Sequence, residues 1–305
     1  MKTGFSFFKL GIIFPSFLFV HFLGIFSFAQ DDDTIKVESS IVVLNATITD
    51  AKGKPVGGLT QKQFQIFEDG KEQKVDFFAA EKTPFAAIIL LDSSGSMEER
   101  VSLARSAAIQ FLDRLRSDDV AAIYNFDSKI SLVQDFSNSR DIYEGVFDLK
   151  ANGMTVLNDA IYKAAQELGK RPEKRKAIIV LSDGADTQSG HSADKALKAA
   201  LAVNATIYTV DMAAIEGGNF KERVQSQGAL KNFAEKSGGK FVATPGGVAM
   251  RDAFKNIVEE LGTQYTLGYQ PTNLAKDGKW RTIELKTNKP ELNIRTRKGY
   301  NAPQK

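Results

Sequence analysis

The sequence predicts an α/β fold: a doubly wound, mostly parallel sheet with helices on both faces, plus a small β module built from both flanks of the chain. Three observations carry that expectation. Short apolar runs without polar alternation recur between residues 85 and 244, amphipathic runs separate them, and β-rich segments with turn signals stand before and after.

With 305 residues, 43% of them hydrophobic and 25% charged, the chain is long enough for one large domain and a smaller one, each with a packed core. The formal charge of +3 falls to +1 without the first 29 residues, which hold Lys2 and Lys9 and no acid, so electrostatics give no reason to expect a nucleic-acid partner. Cysteine is absent, which excludes disulfides, thiolate metal sites and a cysteine nucleophile.

The elements follow in chain order. Two lysines, an apolar stretch from Leu10 to Phe28 and Ser27-Phe28-Ala29 read as a secretory signal over residues 1–29, cleaved after Ala29. The alternative is an uncleaved membrane anchor, because about 20 apolar residues can span a bilayer. Either way the rest of the chain is expected outside the cytoplasm: periplasmic, at the cell surface or secreted. Residues 36–80 carry turn signals such as Asp69-Gly70 between β-rich stretches, and make the N-terminal part of the accessory module. Residues 84–263 form the α/β domain. Its strands are expected at 85–91, 120–126, 176–182, 205–211 and 239–244. Helical faces join Val101, Ala104, Ala108, Phe111, Leu112 and Leu115, then Leu157, Ile161, Ala164, Ala165 and Leu168, then Phe254, Ile257, Val258 and Leu261, with Gly262 as a C-cap. Residues 264–300 supply three further strands with Asp277-Gly278 as a turn, and complete the module; two independent hairpin extensions are the alternative.

In an open α/β sheet, ligands gather beyond the carboxyl ends of the strands. Three such ends or helix starts here carry hard oxygen donors: Asp92-Ser93-Ser94-Gly95-Ser96, Gly153-Met154-Thr155 and Ser182-Asp183-Gly184. Alternate spacing points Asp92, Ser94 and Ser96 the same way, and Gly95 is expected to let the backbone turn into a helix starting near Met97. Hydroxyls and carboxylates without nitrogen or sulfur suit a hard cation, Mg²⁺ first, with Mn²⁺ or Ca²⁺ as alternatives, and make zinc a poor fit. Asn125 and Asp127 close another strand and are candidates to support the site from behind its ligands; capping their own loop is the competing role.

These pieces, in this order, resemble the von Willebrand factor type A domain and its metal-ion-dependent adhesion site. The matching residues are Asp92, Ser94 and Ser96 in D-x-S-x-S, Thr155, and Asp183 in "LSDG". The flanks are similar to those of bacterial exported proteins related to this family. The resemblance implies that Ser94 and Ser96 touch the metal, that Thr155 does so directly or through water, and that Asp92 and Asp183 act through water. It implies a metal-dependent adhesion or interaction module that takes an aspartate or glutamate from a partner protein.

Other readings are open to the same residues. Asp92 and Asp183, taken singly, are ordinary turn formers or helix caps. A non-adhesive envelope scaffold would use the metal only to tie its loops. A serine hydrolase would need a base beside Ser94 or Ser96, and only His191 is available; a phosphatase using Asp92 would resemble D-x-D, where this chain has Ser94. An enzyme is therefore not expected. Asp186 and His191 read as solvent-facing loop residues, Trp280 as a packing residue, and "KRPEKRK" at 170–176 as a solvated loop.

Overall fold

The N-terminal flank forms four strands, β1 (Val42–Thr49), β2 (Phe64–Glu68), β3 (Lys71–Gln73) and β4 (Phe77–Ala79). The computed structural model describes residues 41–80, 83–98, 100–138, 153–213, 220–243 and 247–304, and the leader at 1–29 lies outside them. All described residues fall within one compact unit.

The central sheet begins with β5 (Phe85–Asp92), which is buried at every position, as a strand covered on both faces must be. It continues with β6 (Val120–Phe126), β7 (Ile130–Ser137), β8 (Arg175–Ser182), β9 (Ala205–Asp211) and β10 (Phe241–Ala243), in spatial order β10-β9-β8-β5-β6-β7. All neighbours pair in parallel except β7, an antiparallel edge.

One face packs on α1 (Val101–Leu112) and α5 (Gly247–Thr263), where Phe111, Leu112, Phe254 and Leu261 meet Ile89 and Ile179. The other packs on α2 (Leu157–Gly169), α3 (Ala193–Ala202) and α4 (Phe220–Ser237), through Ile161, Leu168, Leu201 and Phe233 against Ile88 and Ile178. The sheet is thus wound on both sides, as the apolar runs predict. The helix expected near Met97 is instead a single 3-10 turn, Gly95–Met97, with α1 beginning at Val101.

The C-terminal flank adds β11 (Tyr265–Tyr269), β12 (Trp280–Thr287), β13 (Asn293–Arg295) and β14 (Gly299–Asn301). The two flanks interleave into two antiparallel sheets, β13-β1-β11-β4 and β14-β12-β2-β3, so they form one module and not two separate hairpins. Leu44, Ile48, Ile66, Leu267 and Ile283 fill the space between them, with Phe64, Phe78 and Tyr265 in mutual ring contact. Inside this core Glu68 accepts hydrogen bonds from the Tyr269 hydroxyl at 2.7 Å and the Tyr300 hydroxyl at 2.9 Å, which satisfy a buried carboxylate.

The basic run at 170–176 is not simply a solvated loop. Arg171 pairs with Glu173 at 2.6 Å, and Arg175 is fully buried, because the β module covers the start of β8.

Candidate metal centre

The chain leaves β5 at Asp92, 1% exposed, and the next residue is still tied to β6: the Ser93 amide donates to the Phe126 carbonyl at 2.9 Å. The chain then turns on Asp92 itself, whose Oδ1 accepts from the Ser94 amide at 2.9 Å. That turn sets the Ser94 and Ser96 hydroxyl oxygens 3.2 Å apart. Neighbouring oxygens around an octahedral Mg²⁺ lie about 3 Å apart, so this hydroxyl pair has the spacing of two adjacent ligands.

The second piece is tied to the first by the Gly95 amide, which donates to the Gly153 carbonyl at 3.2 Å. The conformational freedom expected of Gly95 is used at Gly153 instead. Gly153 has φ +76°, and a Cβ there would stand 2.4 Å from the Ser128 hydroxyl, whereas at Gly95 it would meet only the Gly153 carbonyl at an ordinary 3.7 Å. Ser128 also accepts from the Met154 amide at 2.9 Å, and the Asp127 carbonyl accepts from the Val156 amide at 3.0 Å. These two bonds seat Thr155, whose own hydroxyl has no hydrogen-bond partner among the described residues.

The third piece is joined through Ser182, which precedes the expected ligand Asp183. Ser182 donates its hydroxyl to Asp92 Oδ2 at 2.5 Å and accepts from the Gly184 amide at 2.9 Å. It thus links the two strand ends that carry Asp92 and Asp183. Asp183 is half-buried, and its Oδ1 accepts from the Ala185 amide at 3.1 Å. The signal for Ser182 was present in "LSDG", but only the parallel pairing of β5 with β8 shows which carboxylate it faces.

Asn125 and Asp127 stand differently. Asn125 pairs in register with Leu91, not Asp92, and its buried Oδ1 has no partner among the described residues. Asp127 uses its carboxylate on the Lys129 amide at 2.8 Å, so it caps its own loop and reaches the Thr155 segment through its backbone. Asp186 stays on the surface, bonded to Asn158 and the Ser189 amide. His191 does not face solvent freely: its ring stacks on Tyr162 at 4.1 Å, and its Nδ1 lies 2.6 Å from Asp159 Oδ1, because the loop folds back over α2.

Among the described residues no group of three or more His, Cys, Asp or Glu is placed to hold a metal ion, so a cation here would rest on hydroxyl oxygens with two carboxylates behind them. Burial pushes the Asp92 carboxyl up to about 6, hydrogen bonds from Ser182 and Ser94 oppose the rise, and the charge of Asp183 adds to it. The donors present therefore suit a hard cation, which would relieve that burial of negative charge.

In the metal-free chain the Asp92 carboxyl holds its proton more tightly folded than unfolded. The folded-state value lies above the ordinary 3.8, so the stability Asp92 contributes is fully present below about pH 4 and is lost as pH rises through about 6. In EDTA, wild type is expected to lose about 2 kcal/mol relative to Asp92→Asn between about pH 4.5 and about pH 7.5 by urea unfolding. Parallel pH profiles for the two proteins would refute it.

Residues 87–185 match the family model of the von Willebrand factor type A domain. The chain is 29% identical over 143 residues to an uncharacterized protein of Synechocystis sp., covering 46% of this chain and 33% of the relative. It is 26% identical over 134 residues to inter-alpha-trypsin inhibitor heavy chain H3 of Bos taurus, covering 39% of this chain and 15% of that one. A solved von Willebrand factor type A structure from Catenulispora acidiphila aligns with a TM-score of 0.50 at 17% identity, over 88% of this chain and 64% of that one, which is a likeness of fold. The matches to the two curated relatives span about a third or less of the relatives' length. Among the described residues no helix is long and apolar enough to cross a membrane.

Proposed function

We propose that this chain, whose residues 87–185 match the von Willebrand factor type A family model, is an exported interaction module that takes an aspartate or glutamate of a partner protein at a Mg²⁺ site. Ser94 and Ser96 would hold the ion directly, Thr155 directly or through water, and Asp92 and Asp183 through water. When bound, the ion supplies a positive charge and an exchangeable coordination position for the partner's carboxylate. The domain division 36–80, 84–263 and 264–300, and export through the leader at 1–29, belong to the same proposal.

The observation that carries the reading is the hydroxyl pair of Ser94 and Ser96, 3.2 Å apart in front of the buried Asp92 carboxylate. A carboxylate held back by Ser182 and Ser94 stabilises the ion without filling the position a partner needs. Binding is favoured over a merely structural ion because protein hydrogen bonds already cross-tie the three loops: Gly95 to Gly153, Thr155 to Thr187, and Ser182 to Asp92. Binding is also favoured over hydrolysis, since among the described residues no hydrogen bond joins His191 to Ser94 or Ser96, and its ring lies on Tyr162.

The test is calorimetric titration of Mg²⁺ into residues 30–305, followed by capture of partners from envelope extracts in Mg²⁺ and in EDTA. Wild type is expected to bind Mg²⁺ and to retain partners only with it. Ser94→Ala and Asp183→Ala are expected to weaken Mg²⁺ at least about tenfold with unchanged circular dichroism. Equal capture in Mg²⁺ and EDTA would sink the adhesion mechanism and favour a scaffold.

A further inference from the structure

From Asp186 onward, the segment between Asp183 and α3 is tied to Thr155 and to the first turn of α2. Near Asp183, the Thr187 and Gln188 amides donate to the Thr155 carbonyl at 3.0 and 3.1 Å, and the Thr155 amide donates to the Thr187 hydroxyl at 2.9 Å. At the far end everything converges on one side chain. Asp159 accepts from the Gly190 amide at 2.9 Å, the His191 amide at 2.8 Å and His191 Nδ1 at 2.6 Å, while its own amide donates to the Ser189 hydroxyl at 3.1 Å. The His191 ring then lies flat on Tyr162, one turn further along α2, with a 13° angle between the planes.

We infer that Asp159, which lies outside the metal motif, is a positioning residue for the site: by clamping the 186–191 loop to α2, it holds Asp183 in place beside Thr155. The inference rests on the Mg²⁺ reading above. Thr155 sits on the N-terminal approach to α2 and Asp183 at the end of β8, 28 residues later, so their relative placement depends on what joins that loop to that helix. An acid in the first turn of a helix has a simpler role, complementing the helix dipole. Three donors aimed at its two oxygens from a different loop are more than that role requires. Burial alone would raise the Asp159 carboxyl, yet the bonds from Gly190 and His191 hold it below the ordinary aspartate range, as expected of a carboxylate that serves as an anchor.

The test compares Asp159→Ala, Asp159→Asn and His191→Ala by two independent readouts. In EDTA, hydrogen exchange is expected to quicken in Asp159→Ala at Gly190 and His191 and also at Gly184 and Ala185, the two amides that follow Asp183. In calorimetry, Mg²⁺ affinity is expected to fall at least about tenfold in Asp159→Ala, less in Asp159→Asn, and no more than about threefold in His191→Ala, which keeps both backbone bonds. A pure dipole role would lower the melting temperature slightly and leave Mg²⁺ affinity unchanged, which would overturn the inference. Faster exchange confined to residues 190–191 would overturn it as well, whatever the metal does. Absence of Mg²⁺ binding by wild type would instead overturn the metal reading, and exchange at Gly184 and Ala185 would still decide whether Asp159 positions Asp183.

Discussion

Arg175→Met is expected to lower the unfolding free energy by about 3–5 kcal/mol, because each buried acceptor left unpaired costs about 1–3 kcal/mol. Arg175 is fully buried at the start of β8. Its guanidinium donates to the Ala80 carbonyl at 2.9 Å, the Thr266 hydroxyl at 3.1 Å, the Thr83 and Leu261 carbonyls at 3.4 Å, and the Gln264 carbonyl. Ala80 and Thr83 lie where the chain passes from the β module into β5. Leu261, Gln264 and Thr266 lie where it returns from α5 into β11. One planar cation therefore satisfies the backbone at both crossings. Methionine replaces the stem and none of the donors, so several buried acceptors are left without partners. Arg175→Lys keeps a charge, but its compact ammonium cannot span acceptors arranged around a planar fork, and an intermediate loss is expected. Urea unfolding in EDTA decides the matter; a methionine variant within about 1 kcal/mol of wild type would show that the crossings are held by packing alone.

Arg175 also marks where sequence reading stops. The parallel sheet was legible because β5, β8 and β9 are buried on both faces and therefore show no polar alternation. β7 was not, because an antiparallel edge strand needs neither a continuous apolar run nor a clean alternation, and Leu132 on it is 52% exposed. α4 was not legible either, since Leu230, Phe233 and Ala234 are buried over one short stretch of an otherwise polar helix. Arg175 sits inside a basic run, and basic runs are usually solvated; its burial follows from a module whose halves lie at opposite ends of the chain.

The candidate site divides along the same line. Asp92, Ser94 and Ser96 announce themselves by local spacing, and the structure sets the two hydroxyls together in front of the carboxylate. Ser182 reaches Asp92 from 90 residues away, and Asp159 reaches His191 from 32 residues away. Residue type and local period cannot signal such pairs, because a serine after a strand and an aspartate in a helix's first turn each have a commoner local explanation.

Gly184→Ala is expected to damage stability and metal affinity together. Gly184 has φ +83°, where an L-residue loses about 1–2 kcal/mol. A Cβ there would also stand 2.5 Å from the Ser226 carbonyl oxygen and 2.9 Å from Leu230 Cγ, so α4 or the loop would have to move, at about 1–3 kcal/mol more. The displaced residue is the one whose amide holds the Ser182 hydroxyl, and that hydroxyl holds Asp92. Mg²⁺ affinity should therefore fall by about 10–100-fold alongside the loss of stability. Gly228→Ala is the control on the same helix: nothing lies within 4 Å of its Cβ position, and alanine within a helix is better than glycine by about 0.5–1 kcal/mol. The same substitution, glycine to alanine, thus carries opposite signs within one contact region. Should Gly184→Ala lose stability while keeping wild-type Mg²⁺ affinity, the Ser182 relay would be excluded as a support of the site, and α4 would be shown to pack beside the centre without governing it.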